Sequence, residues 1–428
     1  MKPDPMKPDS MKPDPVKPDT LWRHRDFLLL WTGQTISVFG SQFTHLAVPL
    51  IAAMILKASP AQMGVLSAVV TAPFLLVGLF AGVWVDRWRR RPVLISGDVG
   101  RALVLSVIPI AHLAGALSMP LLYAVGFLTG VLTVFFDVAY QAYLPSLVDR
   151  AQLVEGNSKL EASRSTAQIA GPGLAGVVVQ IISAPLAIVF DAISFLVSGL
   201  FIGLIRRSEP APETARAPML GEIREGLAVV FGNPMLRAIA GCTGTANFFA
   251  SAGGALYILF VTRELGMKPA AIGAVFSLGS VGALAGVLLA GPLARRFGIG
   301  RVIVAAPLIS GLGFVPVVLA TPKLAVPLLT LGALVSSFGY PLYNISQVSL
   351  RQALTPHRLQ GRMNATMRFL VWGTMPLGAL AGGALGQVLG LRPTIAIAAA
   401  GATLAFVWVW RSPVRVLRQI PEPPGPAD

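Results

Sequence analysis

Residues 61–113 read AQMGVLSAVVTAPFLLVGLFAGVWVDRWRRRPVLISGDVGRALVLSVIPIAHL. Two apolar runs, 61–85 and 92–114, meet at a turn that carries Asp86, Arg87, Arg89, Arg90 and Arg91. Each run reaches the roughly 20 residues an α-helix needs to cross the hydrocarbon core of a bilayer. A backbone inside lipid has no water to bond its N–H and C=O groups, so runs of this length fold as helices. Asp98 and Arg101 interrupt the second run; three residues apart on a helix, they pair with each other.

The same pattern recurs at 27–56, 119–143, 160–182, 185–205, 236–261, 270–293, 301–320, 324–348, 364–390 and 393–410. The predicted fold is therefore an all-α membrane protein of twelve transmembrane helices. The short alternating segments of a β-barrel do not occur. Composition agrees: 54% of residues are hydrophobic and 12% charged, against about 25% charged in a soluble chain. The net charge of +15 does not come from a continuous basic domain, which excludes a nucleic-acid partner. Cys242 stands alone inside an apolar run, so no disulfide or cysteine metal site forms within the chain.

Basic residues fall on alternate connections. One set holds Arg87 to Arg91, Arg150, Lys159, Arg206, Arg207, Arg216, Arg224, Arg295, Arg296, Arg301, Arg351, Arg358 and Arg362, and the termini add Arg23, Arg25, Arg411, Arg415 and Arg418. The other set holds only Lys57, Arg263, Lys268, Lys323 and Arg392. The rich side is predicted to be cytoplasmic, with both termini there, in the cell membrane.

Four imperfect repeats, MKPDP-MKPDS-MKPDP-VKPDT, make residues 1–21 a predicted disordered tail. The expected divisions that follow are a six-helix bundle over 22–206, a linker over 207–235, a second six-helix bundle over 236–411 and a tail over 412–428. The linker opens with the polar SEPAPETARAP. It then places Leu220, Ile223, Leu227 and Val230 at helical spacing, which predicts an amphipathic helix on the inner membrane face. Leu153 and Asn157 match Leu359 and Asn364, and Leu174-Ala175-Gly176 matches Leu380-Ala381-Gly382, at an offset of about 207 residues. The basic turn after Gly82 matches the one after Gly291. Two pseudo-symmetric six-helix halves are predicted, a plan that places a small-molecule site at their interface.

The basic turn GVWVDRWRRRPV joins Gly82, Asp86, Arg87, Arg90 and Arg91 in a charge cluster at the inner ends of two helices. Such a cluster can latch one conformation and release it in another. It resembles the signature between the second and third helices of the major facilitator superfamily: G, three residues, D-R, two residues, R-R. The second-half copy, GPLARRFGIGR, carries Arg295 where the acid belongs. Gly171, Pro172, Gly173 and Gly176 form a small-residue helix-packing face. This face is similar to the fifth-helix motif of facilitator-type drug/proton antiporters, with Ala175 in place of a glycine. Two stretches, YLPSLVDRAQLVEGN and LTPHRLQGRMNATMRFLVWGTMPLG, together with Asp98 and Arg101, resemble the subgroup of macrolide efflux pumps and the enterobactin exporter. That resemblance implies a monomer that exports amphipathic small molecules, driven by protons.

Each ionisable residue within an apolar run has two readings. Asp137 is either the proton carrier or a structural partner of Arg164. His45 is either titratable or a hydrogen-bonded structural histidine, and Asp191 is either a proton site or a structural acid. Arg164 and Arg368 belong to gating ion pairs or reach out to the inner interface. The resemblance places the first, fourth, seventh and tenth helices around the substrate. It makes Gln42, Phe135, Phe136, Asn247, Phe248, Tyr340, Tyr343 and Asn344 the cavity candidates. Aromatic rings with a few polar groups suit an amphipathic ligand. No catalytic set, metal spacing, phosphate loop or cofactor motif occurs, so the chain reads as a secondary transporter rather than an enzyme, with an importer or facilitator of a small metabolite and a non-transporting membrane scaffold as the alternatives to export.

Overall fold

Apart from a 30-residue link between Gly203 and Pro234, connections of one to five residues make helices that follow each other in the chain antiparallel. The computed structural model describes residues 20–207, 209 and 219–421, without the side-chain surroundings at 79, 82, 83, 86, 219–223 and 357. Most of the predicted N-terminal tail, most of SEPAPETARAP, and the surroundings of Gly82, Asp86, Leu220 and Ile223 thus lie outside the described residues.

Eleven described helices are long and apolar enough to cross a membrane. In chain order, α1 is Arg25–Ile55, α3 Arg90–Leu113, α4 Met119–Leu147, α5 Arg150–Ile182 and α6 Ala184–Gly203. Then follow α7 Pro234–Glu264, α8 Pro269–Phe297, α9 Ile299–Leu319, α10 Pro322–Leu354, α11 Gln360–Leu389 and α12 Leu391–Trp410. The remaining predicted span, α2, is divided at Val77 into Pro60–Leu76 and Gly78–Arg87. Pro73 removes one backbone donor there and bends the axis. Bonds from Val77 N to Pro73 O (2.9 Å) and from Ala81 N to Val77 O (2.8 Å) carry the helix through the bend.

Packing repeats between the halves. Helix α1 lies against α5 and α6, α3 against α4 and α6, and α2 against α4. Likewise α7 lies against α11 and α12, α9 against α10 and α12, and α8 against α10. The contacts across the halves, α2 with α11 and α5 with α8, also exchange under the same pairing. The repeat reaches backbone detail. Helix α1 ends in a π-helical turn, Ile51–Ile55, and α7 in another, Phe260–Glu264. Leu56 N bonds to Ile51 O (3.0 Å) as Leu265 N bonds to Phe260 O (3.2 Å).

The halves meet away from the arginine-rich end. Glycines let the backbones touch: a side chain at Gly64 would strike Ala379 O and Gly383 Cα, and one at Gly176 would strike Pro269 O and Gly273 Cα. Gly173 N donates to Ser277 Oγ (2.8 Å), and Arg263 Nη2 donates across to Ala58 O (2.8 Å). The apolar core at this end draws on both halves, whereas the two cores toward the arginine-rich end each belong to one half. The molecule is closed at the arginine-poor end.

Two stretches outside the membrane spans also make ordered contacts. The linker helix, Met219–Gly232, packs against α7 and the start of α11. Gly226 abuts Thr366 and the Arg362 carbonyl, Val230 is buried, and Glu225 pairs with Arg362 and with Arg358 (3.8 Å). Val230 of the expected stripe therefore meets protein. The predicted C-terminal tail begins as structure: Ile299 N and Gly300 N donate to the carbonyls of Arg418 (3.3 Å) and Leu417 (3.0 Å). Those bonds satisfy donors that the start of α9 would otherwise leave open.

Candidate functional site

A cavity of about 460 Å³ opens among α1 to α4, α6 and α7, and most of its wall comes from the N-terminal half. Apolar side chains such as Met63, Leu66, Phe74 and Ile258 make up much of that wall. Against them stand His45, Arg101, Asp137 and Asp191. Charges are costly at this depth unless paired or hydrated, so each is informative.

Small residues bring the charges together. Gly33 and Gly40 on α1 admit Ser198 and Ser194 of α6, so the helices nearly touch. Asp191 on α6 is buried, and its Oδ1 accepts from Ser194 Oγ (3.3 Å) and Ser41 Oγ (3.4 Å). Gln34 Nε2 donates to Ser198 Oγ (3.2 Å) one turn further along. On α3, Arg101 Nη2 meets Asp98 Oδ1 at 2.5 Å, and Arg101 Nε donates to Gly97 O (3.3 Å). The Arg101 guanidinium also lies 4.1 Å from the ring centres of Phe136 and Phe195. Asp137 on α4 has neither a hydrogen bond nor an ion pair among the described residues. Arg101 and, less strongly, Arg164 attract it electrostatically without coming within ion-pair distance. The sequence reading paired Asp98 with Arg101 but did not place Arg101 in the cavity. Only the fold brings the Phe136 and Phe195 rings from α4 and α6.

The aromatic candidates divide. Phe136 points inward to Arg101, while Phe135 stacks on Trp84 (5.9 Å) and Trp88 (6.3 Å) outside the cavity. One residue turns a helix by about 100°, so neighbours cannot share a face. Gln42 packs against Gly171 at the α1–α5 contact and does not line the cavity.

The C-terminal half holds a second cavity, about 350 Å³, lined by Thr243, Asn247, Ser310, Phe314, Tyr340 and Tyr343 among others. Its polar groups are uncharged. Tyr343 and Thr243 share a hydrogen bond (2.8 Å), Ser310 and Ser336 bond each other's carbonyls, and Asn247 Nδ2 donates to Val371 O (3.2 Å). Phe248 packs edge-on against Phe249, and Asn344 accepts from Gln347 Nε2 (3.1 Å); neither lines this cavity.

At the arginine-rich end, Glu209 accepts from the backbone N–H groups of Arg90 (2.7 Å) and Arg91 (3.1 Å) at the start of α3. A carboxylate at a helix N-terminus satisfies open donors and meets the positive end of the dipole. Arg91 itself donates to the carbonyls of Ile202 (3.2 Å) and Gly203 (2.5 Å). Glu209 was hidden in the sequence by its polar linker. Arg87 is exposed, and so are Arg164 and Arg368, the latter 5.8 Å from the Trp372 ring centre. Gly171, Gly173 and Gly176 line the α5 side of the contacts with α1 and α8, and the Pro172 carbonyl would meet a side chain at Gly273.

A family model described as transmembrane secretion effector, of the major facilitator type, matches residues 19–423. The chain belongs to the major facilitator superfamily. It is a multi-pass membrane transporter, not an enzyme. It is 26% identical over 339 residues to the multidrug efflux pump Tap of Mycolicibacterium fortuitum, covering 76% of this chain and 80% of Tap. It is 24% identical over 226 residues to macrolide efflux protein A of Streptococcus pyogenes, covering 52% of this chain and 55% of that protein. In fold it is similar to a bacterial homologue of the iron transporter ferroportin in its inward-facing state. The TM-score is 0.74 at 18% identity, over 90% of this chain and 98% of that one.

Proposed function

We propose that this transporter exports an amphipathic small molecule in exchange for protons, by alternating access between its two halves. Asp137 carries the reading: a carboxylate inside a membrane-spanning helix, lining the cavity with no fixed partner among the described residues. Protonated, it needs no charged partner; ionised, it demands a cation or a change of surroundings. The apolar lining with a few polar groups suits an amphipathic ligand, and the names of the efflux relatives favour export. The arginine-rich end then faces the cytoplasm of the cell membrane, with both termini there, and the cavity loads from that side as a monomer. The six-helix halves, 22–206 and 236–411, rock about the α2–α11 and α5–α8 contacts, and the linker over 207–235 spans them.

The test is accumulation of an amphipathic panel, including erythromycin, tetracycline and ethidium, in an efflux-deficient host expressing the protein. Lower accumulation that a proton uncoupler restores is expected. Unchanged accumulation across the panel, with the protein verified in the membrane, would sink the export reading.

A further inference from the structure

Three carboxylates and one permanent cation meet in the N-terminal half: Asp98 on α3, Asp137 on α4, Asp191 on α6, and Arg101. A guanidinium keeps its charge at every relevant pH. Arg101 cannot pair with all three acids, and Arg164 acts on Asp137 only from beyond ion-pair distance, so the partner Arg101 takes decides which acid is directly compensated. Arg101 is 5% exposed, yet it lines the cavity, and its Nη1 makes no hydrogen bond among the described residues. Its bond to Asp98 uses only Oδ1; Asp98 Oδ2 is buried without a partner. The guanidinium carbon lies 4.1 Å over the ring centres of Phe136 and Phe195. Attraction to a ring face uses the charge and takes up no N–H donor, so the unbonded Nη1 is left to find another acceptor.

We propose that Arg101 is the positioning residue that couples proton and conformation, exchanging its in-plane bond between Asp98 and the cavity carboxylate Asp137. The structure holds the arm in which Arg101 pairs with Asp98 and Asp137 is alone. Loss of the Asp137 proton draws the guanidinium across. The other charged or titratable groups facing this cluster are His45 on α1, Tyr140 on α4, Arg164 on α5 and Asp191 on α6, with Glu161 on α5 acting on Tyr140; α2 and α7 contribute only uncharged side chains to the cavity wall. Asp191 is already held by Ser41 and Ser194, which leaves Asp137 as the acceptor without a competitor. This inference rests on Asp137 as the proton carrier.

Infrared titration of the purified full chain in lipid tests both steps without a transported ligand. The carboxyl band that disappears in Asp137→Asn reports the Asp137 proton. Asp98→Asn frees Arg101 for Asp137 and is expected to move the Asp137 midpoint to the acid side by about 1 pH unit or more. Arg101→Gln removes the cation and is expected to move it to the alkaline side. Arg101→Lys, which keeps the charge but not the planar fork, supplies the second arm if the glutamine variant does not fold, and is expected to lose the response to Asp98→Asn. A wild-type band with no acid-side shift in Asp98→Asn overturns the Arg101 proposal alone. No titrating Asp137 band in the wild type overturns the proton reading and this inference with it.

Discussion

The two halves share one packing plan and differ in what that plan surrounds. Around the N-terminal cavity stand His45, Arg101, Asp137 and Asp191; around the C-terminal one stand hydroxyls, an amide and rings. The contrast is sharpest on the related helices α4 and α10. Asp137 lines its cavity, whereas Asn344, at the matching place in sequence, turns away and bonds to Gln347, leaving Tyr340 and Tyr343 to face the second cavity. Duplication preserved the backbone, down to the paired π-helical turns, while ionisable chemistry stayed in one half. Charges inside a bilayer are expensive, so a protein that needs few keeps few. The expected division of labour is proton handling in the N-terminal half and neutral recognition in the other.

The largest effect should follow from breaking that division at its charged side. Asp137→Asn is expected to reduce uphill export to the level of cells treated with an uncoupler, while the protein stays in the membrane. The double variant Asp137→Asn/Asn344→Asp should remain inactive, because position 344 lines neither of the two cavities described. Uptake assays on the pair decide it, and recovery in the double variant would mean that the halves are interchangeable after all.

Next in size is the closed end, where the halves are alike. A Cβ at Gly176 would come within 2.6 Å of Pro269 O, and one at Gly64 within 2.7 Å of Ala379 O. Overpacking of this kind costs about 1–3 kcal/mol. The cost falls only on the state in which these helices touch, so Gly176→Val should favour opening at the arginine-poor end about tenfold or more. Ser277→Cys, opposite Gly173, is the reporter, and its labelling from that side should quicken in proportion. Equal labelling rates would show that the contact does not gate that end.

Much of this was legible in the chain because bilayer physics writes long, simple signals. Apolar runs fixed the helices, alternating arginines fixed their common end, and an offset of about 207 residues announced the duplication. Direction around a helix was not legible. Phe135 and Phe136 are neighbours in sequence, yet one stacks outside on Trp84 and the other holds Arg101. Gln42 sat in the middle of the right helix but meets Gly171. Arg101 looked settled by its partner at i−3, and no local pattern could announce rings arriving from α4 and α6. The π-helical turn at Ile51–Ile55 follows Pro49, but its twin at Phe260–Glu264 has no proline, so composition offered no cue. The linker is helical over Met219–Gly232; the contacts it makes depend on Thr366 and Arg362, far along the chain.

The smallest effect belongs to the neutral side. Asn247 lines the second cavity and uses its Nδ2 on the Val371 carbonyl; its side-chain oxygen has no hydrogen-bond partner among the described residues. A single neutral hydrogen bond contributes about 1 kcal/mol net. Asn247→Ala should therefore raise the KM for a hydrogen-bonding substrate about fivefold. It should leave the pH profile of export as in the wild type, since no charge has moved. That pairing of results separates the halves better than loss of activity could, because a general packing defect would alter both quantities. A shifted pH profile in Asn247→Ala would place proton handling in the C-terminal half as well and end the division of labour.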